Sequence, residues 1–576
     1  MPNRNAELAR LFREMADVLQ LTGANRFKVI AFEKAANAVA ELPRDVADLP
    51  RGEFTDIEGI GKGTADRIGE FLDTGAIADH DELMAEVPRS LLKLLDIPGL
   101  GAKTVYKLWQ EAEIDSIDAL QRGLDDGTVA SLKGLGKKKA EQIKENLAFI
   151  ESAGQRVNIG VARPLALTLA DRLSQIDGVQ RCDYAGSLRR GRETIGDLDL
   201  LVAADEANAK AIADAFVGFD EVAAVNAHGE KKASIRTADG LQCDLRIVRP
   251  EAYGAALMYF TGSKDHNVRL RERAIAMGMK LSEYGLFAAD NDDTPLVADT
   301  EPAIYDKLGL PWIPPELRED HGEIKRAEAG ELPELIDVAD RRAELHAHTT
   351  ASDGSLSIRE LAQAAIDRGL HTQAVTDHSK GQAQANGLDA KRLAKHVKAI
   401  HAVAEELADD IALLAGSEVD ILADGSLDYD DDTLALLDIV VASPHAALSQ
   451  DPATATKRLI KAIEHPLVRI IGHPTGRLIN RRKGLEPDMA AVVDAAKAND
   501  VALEINAHHM RLDLRDTHAR LALDAGVKLA INTDAHGLGD FDEAIYGVLT
   551  ARRAGATKAD VINCMTRKQL AKWLTR

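Results

Sequence analysis

Cysteine is nearly absent. Cys182, Cys243 and Cys564, three in a chain of 576 residues, form no C-x-x-C pair and no even set, which excludes a disulfide framework and fits a reducing cytoplasm. Long apolar runs are missing too. No stretch approaches bilayer-spanning length, so no membrane partner is expected. Charges interrupt the opening MPNRNAELARLFREMADVLQLTG, which reads as an amphipathic helix rather than a signal peptide. The chain also lacks an excess of positive charge. A net charge of −22 taken alone argues against a polyanionic partner. It averages over domains, however, and acids that ligate metals have their charge offset. Hydrophobic content of 45% and charged content of 28% are ordinary for a globular chain. Its length exceeds what one hydrophobic core supports and suggests about three to five domains.

Near the N-terminus a short pattern recurs. GIGKGTADRI (59–68), GLGAKTVYKL (99–108) and GLGKKKAEQI (134–143) each join a G-x-G turn to a helical, cation-bearing segment. The glycines (Gly59 and Gly61, Gly99 and Gly101, Gly134 and Gly136) leave backbone N–H groups open at a helix start, where the dipole favours an anion such as a nucleic-acid phosphate. One copy is no more than a turn and a cap. Three copies resemble helix-hairpin-helix motifs, which grip DNA without reading its sequence, and the third adds Lys137 and Lys138.

The stretch GSLRRGRETIGDLDLL (186–201) places Asp197 and Asp199 on one face of a strand, with Leu198 and Leu200 on the other. Two adjacent carboxylates repel and are costly to desolvate unless a cation lies between them. Asp244 in LQCDLRIV, on a later strand of the same alternation, is the third acid needed to hold two divalent ions for in-line phosphoryl chemistry. Gly186 and Ser187, with Arg189 and Arg190 beside them, would supply N–H groups and cations to a triphosphate.

That stretch resembles the nucleotidyltransferase signature of X-family DNA polymerases, and YFTGSKDHNVRLR (259–271) resembles their nucleotide-selecting segment. The resemblance implies that Asp197 and Asp199 bind two Mg²⁺ or Mn²⁺ ions, and that Asp244 joins one of them and helps activate the primer 3′-hydroxyl. It implies triphosphate contacts from Ser187, Arg190 and Gly196, a wall against a ribose 2′-hydroxyl from Tyr259 and Phe260, and minor-groove or template contacts from Asn267 and Arg271. Lys264 stands where the best-known animal member has an aspartate near the incoming base. At the lyase position of animal relatives stands Arg67, which stays protonated and cannot serve as an amine nucleophile, leaving Lys34 and Lys62 as substitutes.

Beyond residue 341, short β-branched runs alternate with helical ones, and each ends near a polar residue. His346, His378, Glu418, His445, His473, Glu504 and Asp534 follow at steps of 27 to 40 residues, the length of a strand, a helix and two loops. Seven such units closing into a barrel bring these ends to one rim. His346, His348, Asp353, His378, Glu418, His445, His473, Asp534 and His536 would gather there, too many ligands for one ion and suited to three. This region resembles the polymerase and histidinol phosphatase (PHP) domain fused to bacterial X-family polymerases, and all nine positions match that family's metal set. The resemblance implies three Mn²⁺, Zn²⁺ or Fe²⁺ ions and a 3′ to 5′ exonuclease, with 3′-phosphatase or abasic-site incision as further activities. The basic run GRLINRRKG, with Arg477, Arg481, Arg482 and Lys483, could hold the strand's phosphates at the rim.

The expected architecture is a multidomain α/β chain with helix-hairpin-helix N-terminal domains, an α+β palm with thumb, and a distorted (β/α)7 PHP barrel. The expected boundaries are 1–80 (DNA-end binding), 81–155 (helical fingers), 156–260 (palm), 261–318 (thumb), 319–340 (linker) and 341–576 (PHP). The expected partners are gapped or primer-template DNA and dNTPs, with the protein a cytoplasmic monomer. Two rival readings stand beside this one: a DNA-binding nuclease scaffold with an inactive polymerase, and a template-independent nucleotidyltransferase.

Overall fold

The computed structural model describes residues 4–40, 46–57, 59–95, 97, 100–153, 156–238, 240–290 and 294–575. The chain divides into two compact units, Met1–Gly154 with Asn480–Arg482, and Gln155–Ile479 with Lys483–Arg576. No described helix is long and apolar enough to cross a membrane. All three cysteines are free, and burial pushes each thiol up to about 12.

The first unit is helical. Helices Arg4–Leu21 and Arg26–Ala40 bury Phe12, Met15, Phe32 and Ala36 at helical spacing. A second cluster gathers Leu91, Val105, Leu108, Leu120 and Ile143. Helix Lys62–Thr74 begins at Gly61 and helix Ala102–Ala112 at Gly101; neither glycine offers a side-chain cap, so the first-turn amides stay open to an anion. Helix Gly136–Ala153 starts on Gly136, with Lys137 and Lys138 exposed. Gly59 and Gly134 occupy the preceding turns, both at positive φ. Gly99 lies outside the described residues.

The second unit contains the palm, thumb and barrel. A short ladder joins β1 (Val157–Asn158) to β3 (Thr194–Ile195). The palm sheet comprises β2 (Val179–Tyr184), β4 (Asp197–Ala204), β5 (Val222–His228), β6 (Lys232–Thr237) and β7 (Gln242–Val248), in the order β2-β4-β7-β6-β5. Strands β4 and β7 are parallel, and helices Ile159–Ser174 and Glu206–Val217 cover the apolar face with Leu169, Leu173, Ile212 and Phe216. The thumb adds helix Lys264–Ala276, the hairpin β8 (Met279–Ser282) and β9 (Gly285–Ala288), and helix Glu301–Lys307.

The acidic segment expected to be a linker is packed rather than loose. It carries helix Glu323–Ala329, and Glu323 is fully buried against His266 of the thumb at 2.6 Å. Its acids are partners for buried bases, which a reading of composition as a solvated run does not reveal.

Strands β10 (Ala343–Glu344), β11 (Thr372–Val375), β12 (Ala412–Asp420), β13 (Ile439–Ser443), β14 (Ile470–Ile471), β15 (Ala502–Asn506) and β16 (Leu529–Asn532) form a seven-stranded parallel sheet in chain order. A parallel bridge between Ala347 and Ala535 brings its two edges together into a nearly closed barrel. Leu414, Val441, Ala502 and Ala530 fill the interior, while Leu413, Val440, Leu503 and Ile531 face the helices. Because the side-chain period is two, Glu418, His445, Glu504 and Asp534 continue the inward-facing rows at the strands' C-terminal ends.

Palm and barrel share a core. Leu188, Leu198 and Cys243 of the palm cluster with Ile479, Leu512 and Tyr546 from the barrel side. Leu512→Ala is therefore expected to cost about 2–4 kcal/mol and to weaken the palm as well as the barrel. Hydrogen exchange in β4 and β7 checks this; a palm whose protection is unchanged would contradict the shared core.

Candidate functional site

The palm site begins with register. Asp199 on β4 lies opposite Asp244 on β7, and Asp197 lies opposite Gln242, so parallel pairing brings three carboxylates to one end of the sheet. The turn before β4 closes on them. Gly186 has φ +62°, and a Cβ there would stand 2.2 Å from Asp199 Oδ2, so only glycine lets the backbone approach this carboxylate. Burial first, then the charges of Asp197 and Asp244, raise the Asp199 carboxyl to about 7. Three acids set so that one cannot ionise at its ordinary pH are a donor set that fits divalent cations.

A cleft of about 530 Å³ opens beside these acids. Asp197, Asp199, Gly186, Ser187, Arg190, Tyr259, Phe260, Lys264, Asn267 and Arg271 all line it; Gly196 and Asp244 do not. Arg156 and Arg192, which sequence reasoning did not assign, line it as well. Five cationic side chains thus face the carboxylates, the charge pattern of a polyphosphate site. Arg192 was visible in the signature as one of its arginines; Arg156 stands alone in a polar stretch and gave no signal. Arg190 donates from Nη1 to the Thr261 carbonyl at 2.6 Å and from Nε to Glu319 at 3.1 Å. Arg189 is structural: it grips Glu301 with two bonds of 2.8 Å. Tyr259 and Phe260 meet edge to face at 5.3 Å, and Asn267 Nδ2 donates to the Tyr259 carbonyl at 2.7 Å, fixing that corner.

In the barrel the nine predicted ligands converge. Overlapping groups join His348, Asp353, His378 and His536; His346, His348, Glu418 and Asp534; and His378, Glu418 and His445. His473 Nε2 stands 2.8 Å from Glu418 Oε1. Glu418 is the hub, with His445 Nε2 at 3.2 Å from Oε1 and His378 Nδ1 at 2.8 Å from Oε2. Yet among the described residues neither Glu418 oxygen has a hydrogen-bond partner, and the same holds for His346 Nε2, His348 Nδ1, His378 Nδ1 and both nitrogens of His473. Buried polar atoms are almost always paired. Such a concentration of unpaired atoms around Glu418 fits metal ions that would take their lone pairs.

A supporting layer orients them. Glu504, which the strand spacing picked out without a role, accepts from His346 Nδ1 at 2.8 Å, from Asn532 at 2.8 Å and from the His473 backbone amide at 2.7 Å. This leaves His346 Nε2 aimed at the cluster. Asp420 does the same for His445 Nδ1, and Asn506 holds Asp534 at 2.9 Å. Asp377, wholly buried, ties Thr349, Ser352 and His396 together beneath the His348 turn. Of these, Asp377 and Asp420 were absent from the sequence reading, since a lone acid near a strand end reads as solvated.

The electrostatics carry the same message. Neighbouring carboxylates outweigh burial and lift His378 to about 10 and His536 to about 9, while burial and the adjoining imidazoles lower His348 to about 4. Glu418 and Asp534 are held far below the carboxylate range by surrounding imidazoles.

One expectation is corrected. Arg477 does not reach out for phosphates: it is buried and makes a two-pronged ion pair with Glu193 of the palm at 3.1 and 2.6 Å.

Comparisons with known proteins match these regions. The DNA polymerase beta thumb family matches residues 256–319, the PHP domain family 344–508, a helix-hairpin-helix domain 3–77 and a SAM-like helix-hairpin-helix tandem 91–148. A "DNA polymerase/3′-5′ exonuclease PolX" of Bacillus subtilis is 38% identical over 572 residues, covering 99% of both chains. DNA polymerase lambda of Rattus norvegicus is 25% identical over 55% of this chain and 56% of its own. A probable phosphatase of Thermoanaerobacter sp. (strain X514) is 32% identical over 38% of this chain and 88% of its own.

Two measurements follow from these charge states. Imidazoles raised to about 10 and 9 keep their protons at neutral pH unless a cation displaces them. Calorimetric titration with Mn²⁺ should therefore show proton release and an affinity that rises with pH; heats independent of buffer ionisation enthalpy would contradict it. For Asp199 the folded-state value lies above the ordinary 3.8, so its stability contribution is present in acid and lost as pH rises through about 7. Asp199→Asn should stabilise the metal-free protein at pH 8 by about 1–2 kcal/mol, an amount discounted for solvent screening. Equal melting of variant and wild type would contradict it.

Proposed function

The chain belongs to the bacterial X-family DNA polymerases that carry a C-terminal PHP domain, and we propose that it fills short gaps during DNA repair and degrades DNA 3′ to 5′ at its barrel. The observation that carries the first activity is the β4–β7 register that sets Asp244 beside Asp199, which with Asp197 lines a cation-rich cleft. The orphaned buried donors around Glu418 carry the second.

Two Mg²⁺ or Mn²⁺ ions held by Asp197, Asp199 and Asp244, and three Mn²⁺, Zn²⁺ or Fe²⁺ ions held by the nine barrel ligands, would supply Lewis acidity to the reacting phosphoryl groups. In the palm, Ser187 and Arg190 bind the triphosphate, with Arg156, Arg192 and Lys264 adding positive charge along the cleft. Gly196 keeps the strand entrance clear: a Cβ there would lie 3.0 Å from Arg156 Nη1. Asp244 orients the primer 3′-hydroxyl and takes up its charge change. The wall of Tyr259 and Phe260 excludes a ribose 2′-hydroxyl, and Asn267 and Arg271 meet the nascent pair and template. In the barrel, Glu504 and Asp420 hold the Nδ1 atoms of His346 and His445, so the other ring nitrogens stay turned toward the cluster.

The hairpin glycines Gly59, Gly61, Gly99, Gly101, Gly134 and Gly136, with Lys137 and Lys138, hold the DNA backbone without reading bases. Arg67 is committed to Asp79 and to the Gly63 carbonyl at 2.6 Å, consistent with phosphate binding or support rather than Schiff-base chemistry. The domain boundaries expected from sequence, with 319–340 as a packed connection rather than a loose one, a monomeric state and action in the cytoplasm complete the proposal.

Separated knockouts test it. Asp197→Ala should abolish nucleotide incorporation into gapped DNA and leave digestion of 5′-labelled strands intact; His346→Ala should do the reverse. Incorporation by Asp197→Ala at the wild-type rate would exclude the palm assignment. Extension of single-stranded primers as efficient as gap filling would point instead to a template-independent transferase.

A further inference from the structure

The signature turn of the palm does not stand on palm residues alone. Gly191, at φ +65°, lies directly on the barrel helix Ala544–Ala554, where a Cβ would come within 3.3 Å of Leu549. From the next turn of that helix Arg553, with 4% of its side chain exposed, reaches into the palm. Its Nη1 donates to the Arg190 carbonyl at 2.7 Å and to Glu319 Oε1 at 2.9 Å, while its Nε is anchored on Asp516 of the barrel at 2.8 Å.

Glu319 Oε1 is thus shared. The same oxygen accepts from Arg190 Nε at 3.1 Å, and Arg192 Nη1 stands 3.7 Å away. With Nη1 given to the Thr261 carbonyl, Arg190 keeps Nη2 without a protein partner among the described residues, and its side chain lines the cleft.

We infer that Arg553 of the barrel is a positioning residue for nucleotide binding in the palm, because it shares the Glu319 carboxylate with Arg190 and caps the Arg190 carbonyl. The inference rests on the reading of Arg190 as a triphosphate contact. One buried carboxylate carries one charge. While Arg553 takes part of it, Arg190 is oriented by Glu319 without being neutralised by it. Remove Arg553, and most of that charge falls on Arg190, which is closer to it than Arg192, in a poorly screened setting and in direct competition with an incoming triphosphate. The carbonyl that fixes the signature turn also loses its donor. Asp197, Asp199 and Asp244 share no hydrogen bond or ion pair with Arg190, Glu319 or Arg553 among the described residues, so the chemical step is spared. The barrel thereby tunes nucleotide capture in the palm without touching the nucleotide.

Single-nucleotide gap filling by the full chain, with Mg²⁺ and varied dNTP, tests this. Arg553→Met should raise KM for dNTP by roughly three- to tenfold, the scale on which charges in one network couple, with kcat little changed. The double variant Arg553→Met/Glu319→Gln should recover most of the loss, because the carboxylate that competes for Arg190 is gone. Glu319→Gln alone should leave KM at or below the wild-type value, a readout that stands even if Arg553→Met folds poorly. Digestion of 5′-labelled single strands by Arg553→Met should match wild type. An unchanged KM in Arg553→Met, a double variant as impaired as the single one, or a raised KM in Glu319→Gln would each overturn the inference. Failure of the wild type to incorporate at all would strike the polymerase reading instead.

Discussion

Both sites depend on one constraint: titratable groups brought together out of water, with too few partners of opposite charge or hydrogen-bonding capacity to satisfy them. Glu418 shows it most sharply. Its two oxygens lie within 3.4 Å of nitrogens from His346, His378, His445 and His473, yet none of these contacts satisfies either oxygen. Desolvated polar groups left in this state cost several kcal/mol each, so such a cluster persists only where a bound species takes the lone pairs. In the palm the same tension takes the form of three carboxylates at one sheet end, one of them, Asp199, raised to about 7 by burial first and then by the other two.

Backbone geometry creates the tension. In the barrel, the inward rows that place Val441, Ala502 and Ala530 in the core place His445, Glu504 and Asp534 at the rim two or four residues later. The scaffold's rigidity and the polarity of its mouth are two ends of one alternation. Between palm and barrel, three arginines from the barrel side meet three glutamates of the polymerase part: Arg477 with Glu193, Arg552 with Glu316 and Arg553 with Glu319. Buried ion pairs of this kind add little net stability, but they fix orientation, since any slippage leaves an unpaired charge. The apolar cluster shared by Leu188, Leu512 and Tyr546 supplies the adhesion that they do not.

Much of the site was legible because its signals are local and periodic. Alternation alone put Asp197 and Asp199 on one face, and strand-end spacing singled out six of the nine barrel ligands; H-x-H and its neighbours supplied the rest. Glycine pairs at helix starts announced the hairpins. What stayed hidden depends on contacts remote in sequence. Nothing around Arg477 signals a partner 284 residues away, so a buried pair read as a basic surface run. The acids of 319–340 read as a solvated spacer because their partners, Arg190, His266 and Arg553, belong to other elements. Glu504 was visible as a strand end, but its place behind His346 follows only from the closing of the barrel. Arg156 shows its relation to the cleft only when β1 pairs with β3.

Anomalous diffraction from crystals of the full chain soaked in Mn²⁺ shows whether cations hold both clusters together. Manganese peaks are expected in both places at once, beside Asp197, Asp199 and Asp244 and among the imidazoles around Glu418. Absence of manganese from both, with those side chains turned to solvent or paired with one another, would contradict it.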